Sequence, residues 1–424
     1  MKILSLFDGM ACGALAMLAA GIEIEKYIAY EVDKYAIQTA QHNFPFIEEM
    51  GDVFKADFTQ YVGFDYLIGG SPCTYWSIAQ TKSRETVASG RGWELFSQYV
   101  RALHETKPRF FLYENNKSMS AAICASITKT FGFEPILINS ALVSAQNRQR
   151  LYWCGIRQSD GTYKKADVQQ PVDRGILLKD ILETNGSTWQ QKAYTVTATE
   201  WKGSTLQHCL EKHVRTQIAE PVQVMKYELA SVENKDAGVV GTLDMAGQEQ
   251  IKRVYGTNGK CATLTTCQGG HREPKVFEKI AEPLNAGEVK YCNDKNIEHI
   301  CRPFGSKAKV ITENQKSPTL LAAMGTGGGN GVYYAENKKV RETTNAPIYE
   351  VKDGFITVKG KQFPIKLVDG FYIIRKLTVR ECMRLQTVPE WYEWPVSKSQ
   401  AYKMLGNGWT VDVIAHIFRS LVLA

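Results

Sequence analysis

The sequence predicts an α/β fold: a parallel sheet with helices on both faces, interrupted by a β-rich insertion and closed by the C-terminal segment. Three observations carry this expectation. Residues 1 to about 157 alternate short apolar runs with helical stretches, the rhythm of strands joined by crossover helices. From about 165 to 372 that rhythm is absent, and Gly, Thr, Lys and Asn dominate among short strands and many turns. Helical patterning returns after Ile373. The domains expected are 1–164, 165–372 and 373–424, the last completing the first.

The elements follow in order. Ile3 to Phe7 is an apolar strand, and Ala14 to Ala20 is a small-residue helix closed by Gly21. Tyr27 to Tyr30 reads as a second strand, with Asp33 capping a helix that runs to about Asn43. Tyr66-Leu67-Ile68 is a strand, and Trp93 to His104 has helical periodicity. Phe110 to Tyr113 is a strand and Ser120 to Thr130 a helix; Pro135 to Ile138 and Leu151 to Ile156 are further strands. In the insertion, Gly259 to Gly270, Lys316 to Gly329 and, faintly, Ala193 to Gly203 each place Thr-rich residues before a Gly turn. Hairpins sharing turn chemistry account for that echo. Helical patterning covers Arg375 to Pro389, and Met404 to Val422 is a Gly turn followed by an amphipathic helix.

Composition excludes several classes. With 44% hydrophobic and 22% charged residues the chain is ordinary for a globular protein, and no apolar run reaches membrane-spanning length. The ten cysteines form no CxxC pair and have no His partners at zinc-finger spacing, so no metal is expected. Reduced thiols point to a cytosolic or nuclear setting, the cytoplasm if the source is prokaryotic and the nucleus if it is eukaryotic. A net charge of +7 is compatible with a polyanionic partner without requiring one. Oligomeric state is left open, a monomer included.

Polar residues gather just past strand ends: Asp8, Glu31, Cys73, Glu114 and, before the last strand, Arg148. Open α/β sheets do their chemistry at that edge. The turn after the first strand, Leu4 to Gly13, has only two glycines and carries Asp8 where a pyrophosphate would be repelled. A carboxylate there suits a cationic or hydroxyl-rich ligand; as an alternative, Asp8 is an N-cap. Glu31 is placed to accept from ribose hydroxyls, or is a surface charge, and Gly51-Asp52-Val53 offers a carboxylate to an adenine amino group. The combination fits S-adenosylmethionine, an adenosine with a sulfonium and no phosphate.

Gly69 to Thr74 reads GGSPCT, a turn that ends a strand and presents Cys73 at the same edge as a nucleophile. YENNKSM (Tyr113 to Met119) puts Glu114 at the tip of a strand expected beside it, and QNRQRLYW (Gln146 to Trp153) brings Arg148 and Arg150. With these motifs the chain closely resembles the DNA cytosine-5 methyltransferases. FDGMACG, SPC, ENN, QNRQR, RECMRLQ and GNG follow that family's order over residues 1–157 and 373–424, most like its de novo animal-type branch and phage and bacterial relatives.

The resemblance implies a methyltransferase Rossmann-like sheet interrupted by a target-recognition domain, and a double-stranded DNA substrate. Cys73 would add to carbon 6 of an extruded cytosine. Glu114 would hydrogen-bond or protonate ring nitrogen 3. Arg148 and Arg150 would hold the base carbonyl and keep the thiol ionised. S-adenosylmethionine would lie among Phe7, Asp8, Gly9, Gly13, Glu31, Val32, Asp52, Val53 and Pro72, with Asn407, Trp409 and Thr410 closing the pocket. A mobile segment from Tyr75 to Trp93 would close over the base, its Lys82, Arg84 and Arg91 meeting phosphates; alternatively it is a flexible solvated crossing. Arg272, in the REP of Thr263 to Pro274, would add a DNA contact. Three positions depart from the family pattern: Asn116 stands for Val, Thr74 for Gln, and Trp409 for a small residue. The tRNA-methylating branch and a silent DNA-binding relative are the competing readings.

Overall fold

The computed structural model describes residues 1–77, 84–222 and 347–422, together with the strands Val239–Thr242, Arg253–Gly256, Lys275–Ala281, Asn296–Cys301, Val332–Glu336 and Lys339–Thr343. The chain forms two compact units, one from Met1–Ile218 and Lys376–Ala424, the other from Ala219–Arg375.

The first unit is built on strands β1 (Lys2–Leu6), β2 (Lys26–Tyr30), β3 (Ile47–Glu49), β4 (Tyr66–Gly69), β5 (Phe110–Asn116), β6 (Ile136–Asn139), β7 (Gln149–Arg157) and β8 (Tyr163–Lys165). Their order is β3-β2-β1-β4-β5-β7-β6, with β8 paired to β7. β3, β2, β1, β4 and β5 are parallel to one another, as expected. β7 departs from that expectation: it runs antiparallel to both β5 and β6. Only the short stretch from Ser140 to Arg148 joins β6 to β7, and a parallel pairing would need a crossover of a dozen or more residues. The reversal has a consequence for the site. It brings the start of β7, with Arg150 opposite Asn116, to the edge where the parallel strands end.

Helices α1 (Cys12–Ala20), α2 (Lys34–Asn43), α3 (Gly90–Thr106), α4 (Ala121–Phe131), α5 (Leu206–Lys212), α6 (Val379–Leu385), α7 (Lys398–Asn407) and α8 (Val411–Val422) complete the unit. Alternation along β1 feeds two cores. Ile3 packs with Tyr27, Ile68, α1 and α8, whereas Leu4 and Leu6 pack with Phe96, Tyr99, Phe111 and Trp153 under α3 and α4. α8 turns Val413, Ile414, Ile417, Phe418 and Leu421 inward against α1. Each such side chain contributes about 1.5–3 kcal/mol of burial, so the C-terminal segment is part of the sheet's cover. Gly21, at φ 74, closes α1, and Asp33 caps α2 through Tyr35 N at 3.0 Å.

Residues 165 to 218, expected with the insertion, belong to this first unit instead. Leu178, Ile181, Ala193 and Val196 are buried in its core, and Ala193 exchanges backbone hydrogen bonds with Ala145 and Asn147. Ala193 to Gly203 therefore forms an edge segment with a 3-10 turn at Glu200–Lys202, not a hairpin. The other two Thr-rich echoes lie outside the described residues. The second unit contains the six strands named above as one sheet, and most of a five-stranded sheet from Gln217–Val222, Ile348–Lys352, Phe355–Val358, Lys361–Pro364 and Gly370–Lys376, whose first and last strands begin and end in the first unit. Among the described residues no helix is long and apolar enough to cross a membrane, and no cluster of His, Cys, Asp or Glu could hold a metal ion.

Candidate active site

Strand order reverses direction around β1, which pairs with β2 on one side and β4 on the other. A crevice outside the carboxyl ends of the strands is expected at such a point. The residues that follow β1 to β5 meet there.

The turn after β1 is tight and strained. Phe7 at φ 60, Gly9 at φ 62 and Ala11 at φ 59 all sit in the left-handed region. Only Gly9 occupies it without cost; the other two each give up roughly 1–2 kcal/mol. Asp8, held between them, is buried. Its Oδ1 accepts from Ser5 Oγ at 2.5 Å and Tyr27 OH at 2.6 Å, while Oδ2 has no donor. The N-cap position of α1 is Ala11, without a side-chain bond, so the capping alternative for Asp8 falls. Burial pushes the Asp8 carboxyl up to about 6, partly offset by Ser5 and Tyr27 and reinforced by the charge of Glu31.

Glu31 accepts three backbone N–H groups: Gly9 at 2.9 Å on Oε2, and Val32 at 2.7 Å and Asp33 at 2.8 Å on Oε1. It ties the β1 turn to the β2 turn and keeps capacity for a further donor, since a carboxylate accepts about four. Val32 is exposed beside it, and Val53 is buried. Asp52 caps its own 3-10 turn through Phe54 N at 3.0 Å. Gly13 faces the sheet inside α1, where a Cβ would run into Ile68 and the Tyr27 hydroxyl.

Glu49, at the end of β3, was not singled out by the sequence. Both its carboxylate oxygens are buried without donors, and burial, then Asp8 and Glu31, push it up to about 8. Its sequence signal was position alone: a third successive strand end carrying an acid, beside Glu48 and Asp52. Three carboxyls at adjacent strand ends, two with unpartnered oxygens, repel phosphate and match a cation. The residues present therefore fit S-adenosylmethionine.

The other half of the edge is differently furnished. Glu114, in β5, is nearly buried; Oε1 pairs with Arg150 Nε at 3.1 Å and Oε2 accepts from Trp409 Nε1 at 2.9 Å. β4 lies beside β5 as expected, Gly69 opposite Tyr113. The loop that leaves β4 is pinned to β5: Ser71 Oγ meets Tyr113 OH at 2.6 Å, and Asn115 Nδ2 donates to Ser71 O at 3.2 Å. Gly70 passes so close that a Cβ would stand 2.8 Å from Glu114 Oε2. Pro72 is exposed, and Cys73 opens the 3-10 turn Cys73–Tyr75; its thiol lies outside what is described.

Arg148 is spent differently from the sequence expectation. It is buried, and its guanidinium donates to Val196 O at 3.0 Å, Gly406 O at 3.1 Å and Gly408 O at 2.7 Å. Those bonds hold the GNG turn, so the cation beside Glu114 is Arg150. Thr410 meets Ser140 Oγ and donates to Gln386 Oε1, each at 2.8 Å, which commits its hydroxyl to packing. Asn407, the last residue of α7, is exposed. Arg84 donates to Trp76 O and Ser118 O, and Arg91 pairs with Glu94 and stacks on Phe54 at 4.3 Å. Both have chain partners where phosphates were expected. Lys82 and Arg272 lie outside the described residues.

One edge of the parallel sheet thus carries an acidic turn on one half and a braced carboxylate beside a Ser-Pro-Cys loop on the other, an arrangement that suits an α/β enzyme of group transfer. Comparison with known proteins is specific: the family of C-5 cytosine-specific DNA methylases matches residues 1–423. The chain belongs to that family and is a DNA (cytosine-5) methyltransferase. It is 28% identical over 459 residues to the orphan methyltransferase M.SPRI of Bacillus phage SPR, covering 100% of this chain and 97% of that protein. Identity to the orphan methyltransferase M.Rho11sI of Bacillus phage rho11s is 27% over 495 residues, covering 100% and 98%. Among solved structures, the S. pombe Dnmt2 methyltransferase covers 100% of this chain and 98% of its own at 12% identity and a TM-score of 0.41.

Proposed function

We propose that this chain methylates carbon 5 of a cytosine flipped out of double-stranded DNA, through a covalent bond from Cys73 to carbon 6. Carbon 5 of cytosine is too weak a nucleophile to take a methyl group unaided. The Cys73 thiolate adds to carbon 6, and the electrons displaced make carbon 5 an enamine carbon. Glu114 holds ring nitrogen 3 and stabilises the proton gained there, while Arg150 braces the carboxylate and faces the base carbonyl. Asp8, Glu31 and Glu49 would hold S-adenosylmethionine, which when bound would supply an electrophilic methyl on a sulfonium. Attack of carbon 5 on that methyl would break its bond to sulfur and leave the neutral thioether S-adenosylhomocysteine; loss of the carbon-5 proton to a base then returns electrons to the ring, expels the Cys73 thiolate from carbon 6 and releases 5-methylcytosine.

The observation that supports this most is Glu114: a nearly buried carboxylate with an ion pair on one oxygen and a hydrogen bond on the other, close to the loop that leads to Cys73. Ordinary packing gives no reason to hold an acid there. A duplex carrying 5-fluorocytosine tests it, because the ring then cannot lose its carbon-5 substituent and the enzyme is trapped. A denaturation-resistant adduct that disappears in Cys73→Ala is expected; no adduct from a protein that binds cofactor and duplex sinks the covalent route. Labelled cofactor offered with a duplex and a tRNA in parallel separates the two substrate classes.

A further inference from the structure

We propose that Trp409 is a positioning residue for Glu114, not only a wall of the cofactor pocket. The inference rests on the function proposed above and adds a residue to its machinery. Glu114 could rotate about its last torsion, which is broad in a free side chain. Two partners from separate elements remove that freedom: an ion pair from Arg150 Nε of β7 on Oε1, and a hydrogen bond from Trp409 Nε1, in the turn before α8, on Oε2. With both in place the carboxylate plane is set before any base arrives, and such pre-set geometry is where much of a rate enhancement originates.

Trp409 is itself well anchored on either side. Gly408 O accepts from Arg148 at 2.7 Å, Thr410 is bonded to Gln386 and Ser140, and Trp409 O accepts the Cys12 thiol at 3.8 Å. Cys12 is the first residue of α1, directly after the strained acidic turn. One residue thus touches the helix that follows the cofactor turn through its carbonyl and the base-binding carboxylate through its indole. The same point admits no side chain at position 70: a Cβ there would be 2.8 Å from Glu114 Oε2 and 3.4 Å from Trp409 Nε1. The loop to Cys73 therefore departs over the indole–carboxylate bond.

Trp409→Phe keeps an aromatic ring and deletes the donor. Steady-state kinetics on a cytosine duplex should show kcat about tenfold lower, the usual cost of a charge-assisted hydrogen bond, with the cofactor KM changed by less than about twofold. A cofactor KM that rises while kcat holds would overturn the proposal and leave Trp409 as pocket wall. So would kinetics equal to those of wild type. A second measurement does not depend on that variant folding. Of the eight Trp indole N–H resonances in 15N-labelled full-length protein, one should move upfield in Glu114→Gln; a spectrum with none displaced overturns the contact. A wild type that methylates no cytosine would remove the underlying reading and this one with it, an outcome distinct from an active wild type matched by its Trp409→Phe variant.

Discussion

Two of the three acids on one half of the sheet edge are held in the opposite way to the acid on the other half, Glu31 being bonded to three backbone N–H groups. On the cofactor side, Asp8 and Glu49 are carboxyls with at least one buried oxygen lacking a donor, and both are pushed upward, to about 6 and about 8. On the other half, Glu114 is nearly as buried, yet each oxygen has a partner within 3.1 Å, Arg150 by an ion pair and Trp409 by a hydrogen bond. Desolvating a carboxylate oxygen that has no donor costs free energy that a bound cation can return. An acid already braced gains little from a cation and is held in one geometry for hydrogen bonding instead. Under the proposed function the first arrangement serves binding and the second positioning. Substitutions on the two sides should therefore affect different kinetic constants.

The largest effect belongs to Cys73→Ala, which should abolish turnover while duplex affinity stays near wild type, measured by filter binding. Residual methylation at a rate close to wild type would mean that no covalent step occurs. Glu114→Gln comes next. It keeps the shape and one acceptor, but the amide cannot give or take the ring-nitrogen proton, so kcat should fall about hundredfold or more with the cofactor KM little changed. A pure KM effect there would erase the distinction between the halves.

Asp8→Asn probes the cofactor side with minimal disturbance. The amide oxygen can still accept from Ser5 and Tyr27, so the substitution isolates the charge on the oxygen that has no donor. Cofactor affinity by calorimetry should weaken about tenfold, as for loss of one charge-assisted contact, with kcat at saturating cofactor nearly kept. If kcat fell and affinity held, Asp8 would belong with Glu114.

How much of this was legible beforehand depends on the range of the contact. Strand ends, the Gly21 and Asp33 caps and the acid-bearing turns are written in neighbouring residues, and the sequence placed them within a few positions. The direction of β7 was missed although the short Ser140-to-Arg148 connection encodes it. Residues 165 to 218 were assigned to the insertion because they lack periodicity; their burial comes from isolated apolar side chains that no window detects. Motif order named Glu114, Arg148 and Arg150 but could not divide their labour. The bond from Trp409 to Glu114 spans 295 positions, and the Arg148 bonds to Gly406 and Gly408 span 258 and 260. Glu49 was invisible for a related reason: its character comes from neighbours on β1 and β2, not from its own segment.

Glu49 supplies the smallest effect and the cleanest test of what an unbraced acid costs. Its proton affinity in the folded chain, raised to about 8, exceeds its ordinary value of 4.5. The folded state thus holds the proton more tightly than the unfolded state between those limits, and stability falls as pH rises through that window. Glu49→Gln resembles the protonated form and does not titrate. Urea unfolding should find the variant more stable by about 2 kcal/mol at pH 8.5, a magnitude discounted from the full shift for partial exposure. Near pH 4 the two proteins should converge. Cofactor should then narrow the difference at high pH, because a sulfonium beside Glu49 compensates the charge that the variant lacks. A stability gap independent of pH would mean that Glu49 is solvated or paired, and that only Asp8 distinguishes the cofactor side from the base side.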